Sequence, residues 1–174
     1  AALLALQRFM QRPDTLSLGV CNGCQLMTNL DLIYPEHQQK MAMLHNDSGK
    51  FESAFLNVEV GETKSVLLKP LVGTRLGVWV AHGEGKFHLP EDETEYDVPL
   101  RYTSPSYPFN PNGSALNAAA VVSRDGRHLA IMPHLERSAL PRHWAYYPEA
   151  DRRRHLISPW MLAFSAARDW LKNR

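Results

Sequence analysis

Cys21 is bracketed by glycines two residues away on either side, within Leu16–Leu30, LSLGVCNGCQLMTNL. Leu16–Val20 reads as a short apolar strand. Gln25, Leu26, Met27 and Leu30 read as a helix, so the cysteine falls on the tight turn between the two. That is the layout of a nucleophile elbow, in which small residues such as Gly19 and Gly23 let the backbone pass close to itself. A helix starting at Asn22 aims N–H groups and a partial positive charge at the sulfur. Both should lower the thiol pKa and leave donors for a developing oxyanion. Three other readings stand beside this one. Cys21 fits a buried structural cysteine. With Cys24 it forms a C-x-x-C, which fits a redox pair. Two cysteines are also half of a tetrahedral metal site, but no second C-x-x-C or H-x-x-x-H follows, so no metal site is expected.

A second constellation lies more than a hundred residues on, in Pro133-His134-Leu135-Glu136-Arg137. In an extended segment His134 and Glu136 share a face, so the carboxylate could orient the imidazole as a base for a cysteine nucleophile. Taken alone, an H-x-E is more readily two surface residues; the elbow upstream makes it a candidate. A third candidate is the backbone around Ala81-His82-Gly83. The buried-strand pattern Leu76–Ala81 runs straight into HGEGKF, and strand ends are where ligands sit in α/β folds. The competing reading is that Gly83 and Gly85 only shape a hairpin or bulge.

The elements that must position these residues follow from periodicity and breakers. Ala1–Arg12 reads as a helix with a stripe of Leu3, Leu6 and Met10, Phe9 beside it, ended by Pro13-Asp14. Helix, short loop and strand in that order suggest one crossover unit of an α/β sheet. An elbow usually sits on a central strand with parallel neighbours on both sides; only one helix precedes Leu16–Val20, so this strand is expected to leave an edge uncovered. Leu32–Gly49 reads as loop, with at most a helical turn near Glu36–Lys40. Phe51–Val60 reads as a strand, Val66–Leu71 as a short apolar piece, Leu89–Glu95 as an acidic surface loop and Tyr96–Tyr102 as a strand. Ser104–Ser114, dense in Pro, Gly and Asn, reads as an ordered loop. Ala118–Val122 and His128–Met132 form a hairpin across Arg124-Asp125-Gly126. Arg142–Pro148 is aromatic and should pack over a sheet edge. Arg152–Arg154 reads as a solvated basic run. Ser158-Pro159 starts a helix over Trp160–Leu171 whose apolar face is Met161, Leu162, Phe164, Ala167, Trp170 and Leu171.

Composition narrows the class. The 174 residues suit one domain with a sizeable core. Lys plus Arg is 19 and Asp plus Glu is 18, a net charge of +1 that gives no support for a nucleic-acid or membrane surface. Two cysteines do not make a secreted disulfide scaffold, which favours a reducing, cytoplasmic setting. No run of 18 apolar residues is present, and Ala1–Pro13 lacks the charged start of a signal peptide.

With these segments in hand, the chain resembles the class I, triad-type glutamine amidotransferases. Their elbow is G-x-C-x-G-x-Q, filled here by Gly19, Cys21, Gly23 and Gln25. LGVCNGCQ, HGEGKF, NPNGS, PHLER and SPWM more specifically resemble the glutaminase domain at the C-terminus of phosphoribosylformylglycinamidine synthases. That family usually has PHPER, and Leu135 here replaces the middle proline while leaving His134 and Glu136 in register. The resemblance covers essentially the whole chain. It implies an α/β fold, the flavodoxin-like class I sheet with flanking helices. The family's first strands and its Gly-Gly oxyanion loop would lie upstream of Ala1, so residues 1–174 are expected to be part of a glutamine amidotransferase domain, weak or inactive alone.

The resemblance also implies a site and partners. Cys21, His134 and Glu136 would be catalytic, and the Asn22 N–H would be one oxyanion donor. Gly23, Gln25, His82 and Gly83 would line the glutamine site. The family releases ammonia to synthase domains of the same polypeptide. There, ATP and Mg2+ drive conversion of formylglycinamide ribonucleotide to its amidine; no cofactor is expected in this chain itself. The rival readings are a stand-alone α/β cysteine hydrolase or peptidase of the same superfamily, and a non-catalytic structural or docking piece.

Overall fold

Helix α1 (Ala2–Gln11) is followed by strand β1 (Ser17–Val20), and α2 (Asn22–Asn29) starts one residue beyond the strand. These elements belong to a computed structural model that describes residues 1–173. The remaining strands are β2 (Ala42–Leu44), β3 (Glu52–Val60), β4 (Arg75–His82), β5 (Lys86–His88), β6 (Asp97–Tyr102), β7 (Ala118–Val122) and β8 (His128–Ile131). A single turn of helix, α3 (Glu149–Arg152), and a closing helix, α4 (Met161–Lys172), complete the order.

Six strands form one sheet in the order β1-β8-β7-β6-β3-β4, and β2 pairs with β5 in a separate two-stranded ribbon. Only β1 and β8 run parallel, with Val20 opposite Ile131; the other pairings are antiparallel. Among the described residues β1 pairs on one side only, the uncovered edge expected of an elbow strand that a single helix precedes. β7 and β8 join in a tight hairpin. That hairpin turns where Asp-Gly predicted, with Gly126 at φ 76°.

The hairpin strands β7 and β8 are buried on both faces, which is why they read as near-continuous apolar runs. Along β8, Leu129 and Ile131 enter one core with Val58, Val78, Val80 and Leu100. Ala130, and Met132 just beyond the strand, enter the other, with Cys24, Met27, Tyr34 and Phe87. The sheet also curls. β4, last in the strand order, returns to the segment after β8, where Trp79 and His134 form an antiparallel bridge. That closure brings the ends of β1, β4 and β8 together.

Two helices hold less of the core than their stripes suggest. No residue of α1 is buried; Leu6 and Met10 pack partly on the second core, while Leu3 and Phe9 stay exposed. In α4 only Ala163 is buried, and Leu162 and Leu171 face solvent. The anchor is Trp160, just before the helix, whose indole N–H donates to the Gly77 carbonyl at 2.9 Å. The aromatic segment after Pro141 does pack at the β3–β4 edge, with Trp144 tilted on Phe55 at 5.6 Å. The short strand β2 lies inside the stretch read as loop, and β5 follows the glycine turn; three residues are too few to show an alternation. Val66–Leu71 is not a strand but a buried turn, ending in a 3-10 helix at Lys69–Leu71.

Candidate active site

Cys21 stands between the last residue of β1 and the first of α2 with φ 51° and ψ −104°, a backbone conformation that L side chains rarely adopt. Such strain costs on the order of 1–3 kcal/mol and persists only where the surroundings enforce it. Here they do. The Cys21 N–H donates to the Ile131 carbonyl at 2.9 Å, and its own carbonyl accepts the first helical bond from Gln25 N–H at 3.0 Å. The thiol is half-buried and lies 3.7 Å from the Ala81 carbonyl of β4.

The two flanking glycines have different reasons. A Cβ on Gly19 would sit 2.7 Å from the Gly23 carbonyl oxygen, and would also collide with the Met27 sulfur. A Cβ on Gly23 would meet nothing within 4 Å, so the close approach expected of both glycines applies to Gly19 alone. Gly19→Ala is therefore expected to lose about 1–3 kcal/mol of stability by overpacking. Gly23→Ala should stay within about 1 kcal/mol of the parent, since it gains helix propensity and clashes with nothing. Denaturant midpoints of the two variants check this; equal losses would place the constraint elsewhere.

The thiol pKa is raised, not lowered as the helix start alone predicts. Burial is the largest cause, and the Glu136 carboxylate adds to it. The Asn22 backbone N–H and the Arg137 guanidinium pull the other way and are outweighed. At neutral pH the resting sulfur is a thiol, and a base must take its proton. Cys24 is fully buried on α2, beside Thr28, and burial holds its thiol far above the ordinary range. Both cysteines are free, and Cys24 has neither the exposure nor the ionisation of a reactive thiol.

His134 reaches the same end of the sheet. Its N–H donates to the Trp79 carbonyl at 2.7 Å, and its Nδ1 lies 2.6 Å from Glu136 Oε1. The pairing arises differently from the extended geometry expected. His134 precedes a 3-10 turn, Leu135–Ser138, which swings Glu136 back while Leu135 drops into the first core. The ring is buried, the carboxylate about half exposed. With Nδ1 engaged by the carboxylate, Nε2 is left buried without a hydrogen-bond partner among the described residues. Among the described residues no hydrogen bond joins Cys21 to His134. The two residues follow the paired, parallel ends of β1 and β8.

Gln25 Nε2 donates to the Glu84 carbonyl at 2.8 Å and so ties α2 to the turn after β4. That turn is built around Asn46, which sequence reasoning missed. Asn46 Nδ2 donates to the His82 carbonyl at 2.8 Å, its N–H to the Gly83 carbonyl at 2.9 Å, and its Oδ1 accepts from Gly85 N–H at 3.0 Å. Asn112 Nδ2 and Ser114 Oγ both bond the Gly85 carbonyl. The backbone around His82 and Gly83, expected to line the glutamine site, has both its carbonyls engaged by Asn46. Gly85 has its own reason: a Cβ there would enter the His82 ring. The signal for Asn46 was faint, an Asn in a polar stretch among several.

A surface cavity of about 460 Å³ lies elsewhere, between α1, the end of α2 and the β7–β8 turn. Its buried polar groups are satisfied. Arg127 binds Asp125 and the carbonyls of Met10, Arg12 and Thr15, and His128 bridges Ser17 Oγ and the Met10 carbonyl. Nothing there calls for a ligand.

Comparison with known proteins identifies the family. The family of CobB/CobQ-like glutamine amidotransferase domains matches residues 1–171. The Arabidopsis thaliana protein named "Probable phosphoribosylformylglycinamidine synthase, chloroplastic/mitochondrial" is 44% identical over 98% of this chain. The phosphoribosylformylglycinamidine synthase of Homo sapiens is 38% identical over 95%. This chain spans only 14% of the length of each. Among solved structures, PurLQS from Thermotoga maritima superposes with a TM-score of 0.64 at 24% identity, over 87% of this chain and 60% of that one. A glutamine amidotransferase from the same organism gives 0.53 at 19%, over 99% and 64%. Those two likenesses concern the fold, and they agree with the flavodoxin-like α/β architecture.

Proposed function

Since the chain belongs to the family of CobB/CobQ-like glutamine amidotransferase domains, we propose that it hydrolyses glutamine and supplies the ammonia to a synthase borne on the same polypeptide. The observation that carries this reading is the pairing of a strained, elbow-borne Cys21 with a buried imidazole, His134. That imidazole has a carboxylate on one nitrogen and, among the described residues, no hydrogen-bond partner on the other.

His134 Nε2 takes the thiol proton, and the Cys21 sulfur attacks the side-chain amide carbon of glutamine. The Asn22 N–H, which already faces the sulfur, holds the oxyanion as it forms. His134 then gives its proton to the departing nitrogen, the carbon–nitrogen bond breaks, and ammonia leaves a glutamyl thioester. Water, deprotonated by the same imidazole, attacks the thioester carbon; glutamate departs and the thiol is restored. Glu136 holds the imidazole and stabilises its charged form without itself taking the proton. The open space over Gly23 gives the substrate amide room above the helix start. Residues 1–174 form part of a glutamine amidotransferase domain, one portion of a much longer amidoligase. In that enzyme, formylglycinamide ribonucleotide is the ammonia acceptor, and ATP with Mg2+ acts in other domains. The free thiols suit a reducing, cytoplasmic compartment.

A glutamine-mimicking electrophile, 6-diazo-5-oxonorleucine, tests the assignment. Peptide mass mapping should place one adduct per chain on Cys21, with none on Cys24 and protection by excess glutamine. An adduct on Cys24, or none on either thiol at saturating reagent, would remove Cys21 as nucleophile.

A further inference from the structure

A serine just ahead of a helix ordinarily caps it. Ser158 does not: the N-cap of α4 is Trp160, with no side-chain bond to the helix. The Ser158 hydroxyl oxygen accepts from the Trp160 N–H at 3.3 Å, and its proton goes across the fold to the Ser138 carbonyl at 2.5 Å. The Ser158 backbone N–H donates to the next carbonyl, that of Ala139, at 2.9 Å. Ser138 is the last residue of the 3-10 turn that carries Glu136, and both serines are buried. The end of a helix leaves its carbonyls without partners inside it. Here the Ser138 carbonyl takes two donors, because the Trp144 indole N–H also reaches it, at 2.7 Å. The Trp160 indole in turn holds the Gly77 carbonyl of β4. Gly77 and Trp79 are two apart on that strand, so their carbonyls leave it on the same edge, and the Trp79 carbonyl is the one that receives the His134 N–H. These bonds close a circuit from β4 through His134 and its turn to Ser138, Ser158, Trp160 and back to β4.

We propose that Ser158 is a positioning residue for the imidazole base: its bond to the Ser138 carbonyl fixes the turn so that the Glu136 carboxylate stays on His134 Nδ1. This rests on the glutaminase reading and brings the serine of the SPWM segment into that site's machinery. Glu136 needs such help. Its side chain is about half exposed, and the Arg137 guanidinium stands 3.6 Å from the same Oε1 that meets the imidazole. An exposed glutamate keeps most of its rotamer freedom, so its aim depends on where the backbone sets its Cα. Leu135, fully buried in the first core, anchors the turn on one side of Glu136. Ser158 anchors it on the other, through a carbonyl two residues beyond Glu136. The carboxylate therefore projects from a short arch pinned at both feet. A contact of 2.6 Å between Glu136 and His134 tolerates little displacement of that arch.

The test is a kinetic double-mutant cycle on the full-length protein, read as glutamate release from glutamine, with circular dichroism on each variant. Ser158→Ala should lower kcat roughly ten- to a hundredfold, the size of effect a misplaced catalytic group produces, and change KM less than about threefold. In the Glu136→Ala background no carboxylate is left to place, so adding Ser158→Ala should lower kcat by less than about threefold more. A bond that served stability alone would leave kcat of the folded variant where it was. A parental kcat for folded Ser158→Ala, or a loss carried by KM alone, would therefore overturn the proposal. So would the full loss repeated beside Glu136→Ala, because Ser158 would then act without Glu136. Should Ser158→Ala fail to fold, Trp144→Phe takes its place in the same cycle, since it removes the other donor to the Ser138 carbonyl. A kcat loss that vanishes beside Glu136→Ala supports the proposal, and an additive or absent loss overturns it. A parent protein that releases no glutamate from glutamine would sink the glutaminase reading and this assignment with it, an outcome distinct from failure of the variants.

Discussion

Cys21→Ala is expected to abolish glutamine-dependent synthesis by the full-length enzyme while ammonia-dependent synthesis survives. The sulfur is the only protein atom proposed to bond the substrate carbon, so its removal should lower glutaminase turnover by at least about ten-thousandfold, as deleting a covalent nucleophile does in hydrolases of similar logic. Free ammonia bypasses the step. Alanine also suits the position imperfectly, since φ of 51° is strained for any side chain, and a small loss of stability belongs in the comparison. Cys21→Ser controls for this by keeping the shape. Assaying both nitrogen sources on both variants decides the matter. Retained glutamine-dependent activity, or equal loss with ammonia, would show that Cys21 is not the nucleophile. Cys24→Ala should be mild in turnover, because that thiol lies in the second core and away from the reaction; its effect should be on stability.

The elbow was legible because several local rules coincide there. A strand too short to bury itself, a glycine two residues before the cysteine, and an apolar helical stripe all point to one turn. The hairpin before His134 was equally readable from Asp-Gly and two apolar runs. What the sequence hid are features made by distant chain segments meeting. The curl that carries β4 back to His134 depends on pairings among strands far apart in sequence, and a linear pattern holds no trace of it. Asn46 matters through three hydrogen bonds to a turn some forty residues on. Glu52 looked like one polar residue in an imperfect alternation until register placed it opposite His82. The sign of the thiol shift failed for the same reason. Helix geometry is local and was read correctly, whereas burial of the sulfur comes from β4 and β8 closing around it.

His134→Ala should cost nearly as much as losing the thiol, and the residue's contribution should be visible in the pH profile as well as in the rate. Burial raises the Cys21 pKa, so without an internal base the thiolate must form by loss of a proton to solvent. The residual rate of His134→Ala should then climb about tenfold per pH unit and keep climbing past the ordinary thiol pKa of about 8.5, where an unperturbed cysteine would level off. Glu136→Gln should be milder by roughly ten- to a hundredfold, because it loosens the imidazole without deleting it. The two residues also act on the sulfur with opposite signs. Glu136 raises the thiol pKa by its charge, while its hold on His134 favours proton removal. In the His134→Ala background only the first effect remains, so adding Glu136→Gln should speed the residual reaction at a given pH rather than slow it further. Adding Arg137→Ala instead should slow it, since the guanidinium lowers the thiol pKa. Glutamate release for the four variants across pH 6–10 separates these outcomes. A flat residual profile for His134→Ala, or Glu136→Gln falling below His134→Ala, would mean that the imidazole is not the base for Cys21.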